Sequence, residues 1–279
     1  MLIRSFKDAE AAGREIPISH GNSTAVRVLL ASDGLGFSLS EARCSPGKSS
    51  DIWYKNHWEA NYVRAGRGEL TNRTSGEVWQ LVPGTLYCVG PNDKHTVSSS
   101  FDPLRIVSVF NPPLKGLETH DEDGDYPSTG DVPEGHEHMF VRTIYQVRDT
   151  DDEKVMADGN VVANRLLTSA DKLGFSLSEV TVKEGCHLDL WYKNHYEVNL
   201  VLEGEAFLTD RNSGKDKLLS IGDVYCVGPD DPHRLSPITD LKLLAIFKPP
   251  LAGDERHHQD GAYPPTGPAP PGPQPKVNQ

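Results

Sequence analysis

The run Trp53-Tyr54-Lys55-Asn56-His57-Trp58-Glu59 returns, one residue changed, as Trp191-Tyr192-Lys193-Asn194-His195-Tyr196-Glu197, 138 residues later. The same 138 separates Gly36-Phe37-Ser38 from Gly174-Phe175-Ser176, Tyr87 from Tyr225 and His95 from His233. Phe110 and Phe247 lie 137 apart, so one residue has been dropped between His233 and Phe247. A constant long period across most of a chain means that a whole domain was duplicated, because solenoid units repeat every ~20 to 50 residues. The repeat therefore resolves 279 residues into two ordinary domains. Each is long enough to bury a core of its own.

Charge and composition narrow the partners. A formal charge of −12 and a pI near 5.3 argue against nucleic acid and anionic membranes, whose binding needs clustered Lys and Arg. No apolar run approaches the ~18 to 20 residues of a membrane helix, and Met1-Leu2-Ile3-Arg4-Ser5-Phe6 lacks a signal-peptide stretch. Four cysteines without a C-x-x-C make neither a disulfide framework nor a zinc ribbon. Cys88 and Cys226 are equivalent positions, expected to pack as small apolar side chains in separate domains. The expectation is a soluble, cytoplasmic protein acting on a small molecule.

Short β-like runs follow one another at Val26–Leu30, Phe37–Ala42, Glu59–Val63, Gly68–Thr71, Val78–Val82, Thr85–Val89 and Leu104–Phe110. Gly, Pro, Asn or Asp bounds each, the pattern of a β-sandwich or barrel. A weakly helical opening, Lys7–Ala12, precedes them. Residues 1–127 are expected to form the first domain, 128–138 a linker, 139–264 the second domain and 265–279 a Pro-rich disordered tail. Phe140-Val141-Arg142-Thr143 restarts the pattern of Leu2-Ile3-Arg4-Ser5. Asp121-Glu122-Asp123 reads as a solvated charge run, Trp53 and Trp191 as barrel packing, and the linker histidines as surface residues.

The site lies in the spacing. Gly47, Trp53, Lys55, Glu59 and Gly66 are matched by Gly185, Trp191, Lys193, Glu197 and Gly204. That frame resembles the first cupin motif, with both of its histidines replaced and only Glu retained. Gly84 lies eleven residues before His95, as Gly222 does before His233, which is similar to the second cupin motif. Glu59 and His95 alone are too few ligands for a tight metal site, so another inward donor is needed. The resemblance implies an all-β fold of two tandem cupin (double-stranded β-helix, jelly-roll) barrels.

Longer blocks sharpen the likeness. Ile52–Ala60, Pro83–Tyr87, and Phe110-Asn111-Pro112-Pro113-Leu114 continuing through Glu118, His120 and Asp121 to Tyr126-Pro127 are similar to ectoine synthase. The second half keeps Trp191–Glu197, Tyr225, His233, Phe247, Pro249-Pro250-Leu251, Glu255, His257 and Tyr263-Pro264. The resemblance covers nearly all of each half. It implies a metal-dependent cyclisation of N-γ-acetyl-2,4-diaminobutyrate or a relative to a cyclic amidine with loss of water. The implied cofactor is Fe(II), with another divalent transition metal as an option. The implied ligands are Glu59, Tyr87 and His95, repeated as Glu197, Tyr225 and His233. Tyr54, Glu118 and His120, with Tyr192, Glu255 and His257, are expected at catalytic positions. Arg27 and Arg165 are expected to bind the substrate carboxylate, and Phe110 and Phe247 to form an apolar wall. Because ectoine synthase is a dimer of single cupins, the tandem is expected to form an intrachain pseudo-dimer, as a monomer or a homodimer.

Three positions depart from the family in both halves: Ser23 and Val161 for Trp, Ala42 and Val180 for Thr, and Ser108 and Ala245 for Cys. A lost wall and a lost hydroxyl change what a pocket discriminates. An iron-dependent cupin oxygenase for an amino-acid-derived substrate, and a non-catalytic binding bicupin, are the competing readings.

Overall fold

The computed structural model describes residues 1–256, 258 and 261–273. The chain divides into two compact units, one spanning Phe6–Tyr145 and the other joining Met1–Ser5 to the chain from Gln146. Each unit is a seven-stranded antiparallel sheet with a four-stranded one, the architecture expected of a cupin barrel. No helix among the described residues is long and apolar enough to cross a membrane.

In the first unit the larger sheet runs Phe140–Thr143, Thr85–Val89, Trp58–Ala65, Leu104–Asn111, Ser38–Cys44, Ser23–Leu29 and Glu15–Ile18. The smaller runs Ser49–Ile52, His95–Ser99, Gly68–Asn72 and Val78–Leu81. Every strand expected from the sequence is present within a few residues. Four short ones carried too little alternation to be read: Leu2–Ser5, Glu15–Ile18, Ser49–Ile52 and His95–Ser99. The helical opening is the single helix Phe6–Ala11, anchored by buried Phe6 and Ala9.

Side chains alternate across a strand, so one face of each large sheet turns inward. From it Val63, Tyr87, Ile106 and Phe110 meet Ile52, Leu70, Leu81 and Val97 of the small sheet in one core. The second unit repeats this with Val201, Tyr225, Leu243 and Phe247 against Leu208, Leu219 and Leu235. Trp58–Ala65 is buried on both faces up to Val63, as a central strand should be, while Val78–Leu81 at the rim is largely exposed.

Two boundaries differ from the sequence expectation. Leu2–Ser5 does not pair in the first unit; it adds to Asp223–Val227 in the second, Ile3 facing Tyr225. Phe140–Thr143, which restarts the repeat, pairs with Thr85–Val89 in the first unit, Val141 facing Tyr87. Segment 128–138 is also no free linker. Thr129 bonds His57 at 3.0 Å, and Gly135 lies so close to Trp58 that a Cβ there would stand 2.1 Å from its ring. Thr266 and Gly272 repeat both contacts on His195 and Tyr196, so residues 265–273 of the Pro-rich tail pack on the second barrel. Residues 274–279 lie outside the described residues.

Candidate active site

Strand register builds the site. One rung across the first large sheet places Tyr87, Asn61, Ser108, Ser40 and Arg27 on neighbouring strands. Glu59 stands one inward position from Asn61, opposite Phe110, and so lies diagonal to Tyr87, within reach of long side chains. Glu59, Asn61, Tyr87, Ser108, Phe110 and Tyr54 share the wall of a cavity of about 490 Å³. His95 enters from the small sheet. It is wholly buried behind that wall, its ring centroid 6.2 Å from that of Tyr54.

Burial sets the electrostatics. It pushes the Glu59 carboxyl up to about 7, against the Asn61 amide and Ser108 hydroxyl, which favour the ionised form. Asn61 donates to Glu59 Oε2 at 2.6 Å, and Ser108 Oγ donates to Asn61 Oδ1 at 2.6 Å. Burial, then the Glu59 charge, raises the Tyr54 and Tyr87 phenols well above their ordinary value. Burial pulls the His95 imidazole down to about 4. His95 Nδ1 bonds the Asp93 carbonyl at 3.0 Å, while its buried Nε2 has no protein partner. Donation from Nδ1 leaves the Nε2 lone pair free, as a metal-ligating histidine requires.

The second unit repeats the arrangement. Tyr225, Asn199, Ala245, Ser178 and Arg165 form the rung, and the cavity measures about 770 Å³. His233 Nδ1 bonds the Asp231 carbonyl at 2.9 Å and again leaves Nε2 unpartnered. Burial drives Glu197 up to about 8; the nearby Asn199 amide favours its ionised form but makes no hydrogen bond of ordinary geometry with it. Among the described residues no three His, Cys, Asp or Glu side chains cluster as a metal site. The third donor available in each half is the tyrosine.

Comparison with known proteins now decides the family. The ectoine synthase family profile matches residues 1–130 and again 139–267. The chain belongs to the ectoine synthase family. L-ectoine synthase of Desulfatibacillum aliphaticivorans is 43% identical over 131 residues, 47% of this chain and 100% of that one. L-ectoine synthase of Oceanobacillus iheyensis is 44% identical over 127 residues, 46% of this chain and 97% of its own. Among solved structures, an oxalate decarboxylase of Bacillus subtilis superposes with a TM-score of 0.63 at 15% identity, covering 90% of this chain and 78% of that one. A cupin barrel protein of Leptotrichia buccalis gives a TM-score of 0.55 at 13% identity over 88% and 96%. These two likenesses carry the two-barrel cupin fold.

Within this tandem ectoine synthase relative, the expected residues separate into those that reach the cavity and those that stand behind it. Tyr54, Glu59, Tyr87 and Phe110 line the first; Tyr192, Glu197, Tyr225, Phe247 and Arg165 line the second. His120 stands behind Tyr54: its Nε2 meets the Tyr54 hydroxyl at 3.1 Å and its Nδ1 meets Ser19 Oγ at 3.2 Å. Burial, then Arg27, pulls its imidazole to about 4. Glu118, expected at a catalytic position, is held by Arg27 and two backbone amides and is not on the cavity wall. Its carboxylate accepts from the Lys115 and Gly116 amides and from Arg27 Nη1, the last at 3.1 Å. A carboxylate so engaged is held below its ordinary value despite burial. Arg27 accordingly commits both terminal nitrogens to Glu118, Nη1 to its carboxylate and Nη2 to its backbone carbonyl, and does not line the first cavity, so the expected carboxylate binder is an internal clamp there. Arg165 meets Glu255 less closely, at 3.5 Å. His257 lies outside the described residues. Trp53 and Trp191 are not barrel packing: Trp191 is 37% exposed, and lysines lie over both rings.

Two pairs of site residues escaped the sequence reading. Tyr126 stacks on Tyr54 at 5.5 Å and Tyr263 on Tyr192 at 5.6 Å, closing each cavity. Asn61 and Asn199 stand two residues after the glutamates, hence on the same strand face, and that spacing was the available signal.

Proposed function

We propose that the protein is a carbon–oxygen lyase of the ectoine synthase kind. It closes an N-acylated diamino acid, N-γ-acetyl-2,4-diaminobutyrate or a relative, to a cyclic amidine and water. The observation that carries this reading is a repeated one. Halves that each match the ectoine synthase family profile bury the same acid and phenol on a cavity wall, with a free-Nε2 imidazole behind it.

The donor set fits Fe(II) or another divalent transition metal, held by Glu59, Tyr87 and His95, and again by Glu197, Tyr225 and His233. Carboxylate, phenolate and imidazole suit such an ion. The buried, unpartnered Nε2 atoms of His95 and His233 are otherwise costly. A phenol this far above its ordinary pKa ionises only beside a cation. Bound there, the ion supplies Lewis acidity toward an amide oxygen.

The remaining work falls to the chain. The α-amine nitrogen bonds to the acyl carbon, and the oxygen departs as water with two protons drawn from the two nitrogens. Tyr54 stays protonated, so its hydroxyl on the cavity wall can donate to the departing oxygen. His120, neutral at pH 7, takes up an amine proton through that hydroxyl and returns it by the same path to the departing oxygen, so that both side chains end as they began. Phe110 and Tyr126 exclude water and hold the chain folded for ring closure, which raises the effective concentration of the amine.

Anaerobic incubation with Fe(II) and N-γ-acetyl-2,4-diaminobutyrate should yield a product lighter by one water. Turnover that requires dioxygen, or no product from any N-acyl diamino acid, would refute the reading and favour the oxygenase or the binding bicupin.

A further inference from the structure

The two cavities keep the same reactive skeleton; around it five positions change in one direction, while Arg165 joins the second wall where Arg27 is absent from the first. Ser19, Ser23, Cys44, Ser50 and Ser108 line the first. Their equivalents in the second are Ala157, Val161, Val182, Leu188 and Ala245. Every hydroxyl or thiol at these five positions has become an apolar group. The exchanges are spatially joined, because Ser23 faces Cys44 across its strand pair as Val161 faces Val182. Leu188 in turn faces Leu235 where Ser50 faces Val97. The second cavity is the larger despite these bulkier side chains.

The polar end has changed as well. In the first cavity Ser108 and Glu59 satisfy the Asn61 amide. With Ala245 in place of that serine, both amide atoms of Asn199 are left without a hydrogen-bond partner, although the residue is only 1% exposed. A buried amide in that state costs free energy unless a ligand pairs with it. The second cavity thus offers one donor and one acceptor at the head and an aliphatic wall beyond.

We propose that the halves have diverged in substrate. The second takes a diamino acid with a longer aliphatic N-acyl chain, its amide head on Asn199 and its chain on Val161, Val182 and Leu188; the first takes the short acetyl-like member. This deepens the functional reading and rests on it.

The test uses the full chain loaded with Fe(II), one site disabled at a time by Glu59→Ala or Glu197→Ala. Each variant is assayed on N-γ-acetyl- and N-γ-butanoyl-2,4-diaminobutyrate, and binding of both is measured by calorimetry. Two added methylenes buried on the aliphatic wall are worth roughly tenfold. The butanoyl-to-acetyl ratio of kcat/KM is therefore expected about tenfold higher in Glu59→Ala, where the second site works, than in Glu197→Ala. Adding Val161→Ser with Val182→Cys to Glu59→Ala should abolish that preference, and adding Ser23→Val with Cys44→Val to Glu197→Ala should create it. Equal ratios in the two single-site variants overturn the inference and leave the functional reading intact. If the unsubstituted protein converts neither compound, the functional reading fails, and the ratio of the two calorimetric affinities in each variant decides the inference.

Discussion

Replacing Ser108 by Ala would give the first cavity the environment of the second, and the structure says what should follow. The hydroxyl donates to the buried Asn61 Oδ1, which in turn orients its amide onto Glu59. Leaving that carbonyl unsatisfied costs about 1–3 kcal/mol, which should lower the melting temperature by several degrees in a unit of this size. The carboxyl should respond too. Glu59 sits at about 7 with the serine present, and Glu197 at about 8 with alanine at the equivalent position. A shift of that size cuts the ionised share at pH 7 from about a half to about a tenth, so divalent-cation affinity should fall roughly fivefold. Calorimetric titration of Ser108→Ala in a Glu197→Ala background reads the first site alone, at pH 7 and again at pH 9, where both forms are largely ionised. A fivefold loss at pH 7 that shrinks at pH 9 supports the relay. An unchanged melting temperature, or an equal loss at both pH values, refutes it.

In a Glu197→Ala background, which leaves only the first site working, Tyr54→Phe removes the hydroxyl on His120, and kcat should fall by ~10²–10⁴, the range for a lost proton donor, with metal content unchanged relative to Glu197→Ala by elemental analysis. His95→Ala should reduce bound iron from two equivalents per chain to one, and a stoichiometry that stays at two would place the metal elsewhere. The metal-free protein should lose stability in acid. His57, His95, His120 and His195 sit near 4 in the fold, so the unfolded chain binds more protons between about 4 and 6.5, and stability falls as pH drops through that window. Glu59 and Glu197, raised in the fold, act in the opposite sense as pH drops from about 8 to 4.5, and the four imidazoles outweigh them. Thermal melts at pH 6.5 and 4.5 check the sign, and a higher melting temperature at pH 4.5 would contradict it.

The candidate site was legible through the family resemblance, and the duplication repeated it. Glu59, Tyr87 and His95 could each have been an ordinary strand residue; the likeness to ectoine synthase named them, and the second half carries the same three at the same spacing. What was not legible depends on tertiary pairing. Arg27 and Glu118 are 91 residues apart, and nothing local shows that each occupies the other. Tyr126 stands before a proline in a polar loop, and only the folded chain shows it stacked on Tyr54. Segment 128–138 has the composition of a linker, yet the close approach of Gly135 to Trp58 depends on a contact partner 77 residues away. Strand Leu2–Ser5 has a β-like sequence too short to register, and its partner lies near the far end of the chain.

That last pairing makes two distant stretches of the chain interdependent. Ile3 packs on the core that holds Tyr225, and residue 226 must be synthesised before Leu2 can find its place. Substitutions that break the strand Leu2–Ser5 would therefore loosen the wall around the phenol of the later barrel while sparing the earlier one. Damage at residues 2–5 would read out as a defect two hundred residues downstream.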